Sequence, residues 1–252
     1  MILANLVKAV REQNYYAVFL EFVIVIAGVV VGFQVTAWNA DRAEREIITQ
    51  QLAEVREDIQ ADISVLETTL NASLWRFAAA EYLLTRIESD TPLPRLMLVF
   101  EFPIDRDMLP EITQDDHPTL LARVNLIRGR TGQRTGYESL VNGGSLRLIE
   151  DQELRAAIQR YYTGYEDLQN NLAIFRDIRA PAMTILYRHG FSLFSEQDLD
   201  TVLEAARSDL ELTAYIRTGL ELAMAQISIT LEREEQAQEL LALINAALED
   251  EE

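Results

Sequence analysis

Apolar and polar positions alternate on two length scales along the chain. From Phe22 to Phe33 no charged residue occurs, and flanking apolar positions (17–20 and 35–37) extend the run to about 21 residues, enough to cross a ~30 Å hydrocarbon core. Tyr15 and Tyr16 stand at one end and Trp38 at the other. In a helix they lie about 33 Å apart, the separation of two interfacial aromatic belts. The pattern therefore predicts a transmembrane helix over 15–38, with Tyr15, Tyr16 and Trp38 as interfacial anchors. Val35-Thr36-Ala37 also resembles a signal-peptidase site, so a cleaved leader is a competing reading.

Beyond Trp38 the apolar residues become periodic. They recur at Ile48, Leu52, Val55, Ile59, Ile63, Leu66, Leu70, Leu74 and Phe77, with neither Gly nor Pro before Pro92. The gaps of three and four repeat every eleven residues, which matches a nearly straight helix more closely than a left-handed coiled coil. This extends the first helix outward as a rod over 39–90, its Arg and Glu residues read as a solvated face. Five prolines from Pro92 to Pro118 then predict an irregular insertion over 91–136. Within it, Leu96 to Phe102 is an apolar strip, an acidic run extends from Asp105 to Asp116, and Arg123, Arg128, Arg130 and Arg134 form a basic run suited to pairing with it. Residues 137–252 supply the remaining helices. Asn142-Gly143-Gly144 marks a turn and Glu150-Asp151 a helix start; Pro181 marks a kink or interruption and Gly190 a stop. Ser195 with Asp198 reads as a cap for a helix from Glu196, and apolar positions from Leu210 to Leu248 predict a last long helix. The expected fold class is all-α: a transmembrane helix continuing into a rod, packed with two or three further helices. Leu3, Leu6, Val7 and Val10 give residues 1–14 an amphipathic pattern suited to a short cytoplasmic or interfacial segment.

The apolar run carries an internal stripe. Gly28 and Gly32 form G-x-x-x-G, and Glu21 falls within about 20° of the same line. Val25, Val35 and Asn39 continue it; Gln34 lies about 120° from Gly28. Two glycines and a carboxylate on one side of a membrane helix suit a protein neighbour, so Glu21, Val25, Gly28, Gly32 and Val35 are the expected helix–helix interface.

Charge narrows the partners. The net charge is -19, and up to residue 40 Lys8 and Arg11 balance Glu12 and Glu21, so the excess belongs to the part beyond the span. Such a domain is poorly suited to nucleic acid or anionic lipid. No cysteine is present, which excludes disulfides and thiol chemistry. RGRTGQRTG (128–136) lacks the ending of a phosphate loop, so no nucleotide is expected. The two histidines, His117 and His189, stand in no zinc-type spacing, and no nucleophile elbow occurs. His189 reads as a helix-end residue, and Tyr161, Tyr162 and Tyr165 as packing aromatics. No catalytic residue, metal or cofactor is expected.

Two stretches resemble a family. Glu21, Gly28, Gly32, Gln34, Trp38-Asn39 and Arg42, with YESLVNGGSLRLIEDQELRAAIQRYY (137–162), are similar to the two signatures of an uncharacterised family of bacterial single-pass membrane proteins. The resemblance implies a membrane-anchored helical domain and brings no activity with it. Positive charges flank the span almost equally, and the short leading tail favours a cytoplasmic N-terminus with the main domain in the periplasm. The expected partners are the lipid bilayer and either a second copy of the chain or other membrane subunits. A ligand-sensing domain acting through a partner and an ion or proton path using Glu21 are the alternatives.

Overall fold

In the computed structural model the described residues are 15–87, 104–126 and 132–249; side chains at 15, 17, 166–176 and 178–182 are outside the description. The amphipathic segment 1–14, the strip 96–102 and most of the basic loop lie outside these residues. Among the described residues six α-helices follow one another: α1 (Tyr15–Ile87), α2 (Leu120–Asn125), α3 (Thr135–Asn142), α4 (Gln152–Arg188), α5 (Leu199–Ser208) and α6 (Leu210–Glu249). Short 3-10 turns lie at Arg106–Met108, Gln114–Thr119 and Ser145–Leu148, and no strand occurs among the described residues. The fold class is all-α, as the periodicity predicts.

The chain divides into two compact units, 1–50 and 51–252, and α1 contributes to both. In the first unit α1 is long and apolar enough to cross a membrane, and none of its membrane-length window is buried. In the second, α1 supplies Leu70, Leu74, Phe77, Leu83 and Leu84 to a core completed by Leu120, Leu121, Leu186, Leu203, Leu212, Ile216 and Leu220. Helix α6 is the central packing partner: α4, α5 and α2 all lie against it.

Local chemistry sets the helix ends. Asp151 caps α4, its Oδ1 accepting from the N–H of Glu153 at 2.8 Å and of Leu154 at 3.2 Å. Gly144 (φ 74°) and Gly190 (φ 73°) take the left-handed conformation at the turns where the sequence places stops. Two local expectations change. Helix α5 begins at Leu199, with Asp198 as its cap accepting from Thr201 N–H, not at Glu196; the Ser195 hydroxyl instead bonds Ser192 and Gln197. Helix α4 runs through Pro181 without interruption. The insertion 91–136 is also less irregular than its prolines suggest. Thr113 and Asp116 form a capping box, and α2 follows with Leu120, Leu121 and Val124 in the core. Pro118 sits inside that 3-10 turn, near its end.

Candidate functional site

The predicted interface residues stand together on the exposed part of α1. Val25 is 48% exposed and Val35 51%, and around Gly28 and Gly32 nothing among the described residues lies within 4 Å of an added Cβ. Glu21 is partly buried, and Tyr16 and Trp38 are exposed at 76% and 58%. The side chain of Tyr15 is outside the described residues.

The structure also reveals a site that the apolar pattern conceals. On α1, Asp58, Asp62, Thr69, Ser73 and Arg76 are buried, Asp62 and Arg76 to 1% exposure. The charged positions are thus not all solvated, and Ile63 is less buried than Asp62 beside it. These residues follow the same three-and-four spacing as the core. They form a polar seam adjoining the apolar one.

At the lower-numbered end of the seam, two carboxylates one turn apart meet the segment 132–137 and the tyrosines of α4. Asp58 Oδ2 accepts from Gly136 N–H at 2.7 Å. Asp58 also accepts from the backbone of Tyr137. Helix α3 has no side-chain cap of its own, so Asp58 caps it from across the fold. Asp62 Oδ2 accepts from Tyr161 at 3.0 Å and its Oδ1 from Tyr165 at 3.3 Å, with a further bond from the backbone of Gln133. Gly132 N–H donates to the Tyr165 oxygen. Tyr137 stacks on Tyr162 with ring centroids 4.0 Å apart, and Tyr161 meets Tyr162 edge-on at 5.2 Å. The three α4 tyrosines do pack the bundle, as expected, but Tyr161 and Tyr165 also donate to a buried acid. The Tyr162 hydroxyl is buried with no hydrogen-bond partner among the described residues.

Electrostatics follow from burial. Loss of water raises the Asp58 carboxyl above its ordinary range, opposed by the backbone bonds from Gly136 and Tyr137. Asp62 is pushed up to about 6, again chiefly by burial and against the bonds from Tyr161 and Tyr165. Burial, reinforced by the neighbouring carboxylates, also raises Tyr161, Tyr162 and Tyr165, which keeps them protonated. The donors already surround the carboxylates. Those donors favour the ionised carboxylates and so oppose the effect of burial.

Other polar groups are structural. Arg76 donates from Nη2 to Leu222 C=O at 3.2 Å and Gln226 Oε1 at 2.7 Å, joining α1 to α6. His189 follows the last residue of α4, as expected of a helix-end residue, and bonds Asp209 at 2.7 Å; His117 meets the Tyr82 hydroxyl at 2.5 Å. Acidic and basic runs do pair at Arg123–Asp116 (3.1 Å). The Arg123 guanidinium also lies 3.8 Å from the Trp75 ring, beside an open groove of about 300 Å³ lined by Thr68, Asn71, Ala72 and Leu126.

No protein-family model, curated protein or solved structure matches this chain.

Proposed function

We propose that the chain is a non-enzymatic, membrane-anchored structural or interaction protein. It spans a bacterial inner membrane once, with its N-terminus in the cytoplasm and residues 51–252 in the periplasm, and associates through Glu21, Val25, Gly28, Gly32 and Val35. The carrying observation is the uncovered apolar part of α1, where no described residue occupies the space beside Gly28 and Gly32. Small residues let backbones approach closely in lipid, where packing and interhelical hydrogen bonds replace the hydrophobic effect as the source of association. The resemblance of the Glu21–Arg42 pattern and of 137–162 to a bacterial single-pass family supports the same setting.

The test is the mass of the full chain in mild detergent, with crosslinking through a cysteine introduced near Gly28. An oligomer is expected. Gly28→Ile is expected to weaken it roughly tenfold, or ~1.4 kcal/mol. A strictly monomeric protein, unchanged by the substitution, would reject self-association. Copurification of that monomer with a different membrane protein would identify it as an accessory subunit instead.

A further inference from the structure

Two ionisable side chains buried one turn apart on the same helix face are unfavourable neighbours when both carry charge. Asp58 and Asp62 are in that position, covered by the backbone of 132–137 and, at Asp62, by Tyr161 and Tyr165 as well. An added Cβ at Gly132 would run into the Asp62 carboxylate and the Tyr165 hydroxyl. At Gly136 it would stand 2.5 Å from Val55 N and 2.6 Å from the Glu54 carbonyl carbon. The segment thus lies on α1 at both its ends, and its N–H groups at 132, 133, 136 and 137 close on the two acids and Tyr165.

We propose that residues 132–137 form a proton-controlled clasp over the Asp58–Asp62 pair, closing as the pair takes up a proton and loosening as it ionises.

The charged and titratable groups around the pair come from every packed element. Glu54 and Glu57 on α1 add negative charge beside Asp58. Tyr161, Tyr162 and Tyr165 on α4 remain neutral, and Tyr161 and Tyr165 donate to Asp62. Arg134 on the clasp lies 5.7 Å from the Tyr137 ring centre and 5.9 Å from that of Tyr162, and tempers the field there. On α6, Arg233 reaches only the backbone oxygen of Tyr161, at 3.5 Å, and Gln236. A closed clasp excludes water and so favours the protonated acid; an open clasp returns it to an ordinary carboxylate. Closing is therefore linked to proton uptake. With Asp62 at about 6 when covered and an ordinary value of 3.8 when open, the closing equilibrium falls about tenfold between pH 5 and pH 7.

The experiment is amide hydrogen exchange on the full chain in detergent micelles at pH 5 and pH 7, with rates normalised for intrinsic exchange. Protection at Gln133, Gly136 and Tyr137 is expected to fall about tenfold at pH 7, while protection within α6 stays level. Asp62→Asn, an uncharged isostere, is expected to abolish the difference. Equal protection at both pH values, an undiminished drop in Asp62→Asn, or a matching loss in α6 would overturn the clasp. Should Asp62→Asn fail to fold, Tyr165→Phe decides. It removes a bond that lowers the Asp62 carboxyl, so the midpoint of the drop must move to higher pH; an unmoved midpoint overturns the proposal.

Discussion

At the scale of single residues, the structure separates glycines that are needed from glycines that are tolerated. At Gly136 the atoms in the way are backbone atoms of Val55 and Glu54, which cannot swing aside. Gly136→Val is expected to destabilise the folded chain by about 2–3 kcal/mol, seen as a lower midpoint in thermal unfolding followed by circular dichroism. At Gly164 the obstacle is the tip of the Arg233 side chain, which can rotate away, so Gly164→Ala in mid-helix is expected to cost less than ~1 kcal/mol in the same measurement. This contrast was not legible in the sequence, because the close approach joins positions about 80 residues apart. The same holds for Asp58 and Asp62. The apolar repeat passes over them, because charged positions on the rod read as solvated, and only the donors brought by 132–137 and α4 make their burial affordable. Gly28 and Gly32, by contrast, were read from local spacing alone, and the exposure of their surroundings follows that pattern.

Elements were legible wherever their signals are local. The eleven-residue repeat gave α1 to within a few residues of Ile87, and the apolar periodicity gave α6 as one helix. Asp151 was readable as a cap because its partners lie two and three residues away. Asp151→Ala is expected to remove about 1 kcal/mol of stability and to increase hydrogen exchange over the first turn of α4, with the remainder of that helix unaffected. The error at α5 has the same local origin: Ser195 reads as the cap and Asp198, three residues on, as its reciprocal acid, whereas the Asp is itself the cap. Helix α2 was missed because prolines surround it, whereas its formation depends on Leu120, Leu121 and Val124 reaching a core assembled from distant parts of the chain.

At the scale of the whole molecule, acidity and stability are linked through one buried site. Asp62 is raised from 3.8 to about 6, so its contribution to stability is complete below pH ~4 and is lost as pH rises through about 6. The difference is on the order of 2–3 kcal/mol. Chemical unfolding of the full chain is therefore expected to show greater stability at pH 5 than at pH 7.5, and Asp62→Asn to be the more stable protein at pH 7.5, with about half that advantage at pH 5. A wild-type profile that Asp62→Asn does not flatten would transfer the effect to other groups. The borrowed cap of α3 has a further consequence, for the order in which the protein forms. An eight-residue helix with no side-chain cap of its own does not persist alone in water. Asp58, its acceptor, lies 78 residues earlier than Gly136. During synthesis the acceptor segment leaves the ribosome first and the donor segment arrives later. Helix α3 thus belongs among the last structures to form. Substitutions within it should change the unfolding rate far more than the folding rate, and refolding kinetics of Gly136→Val would carry that signature.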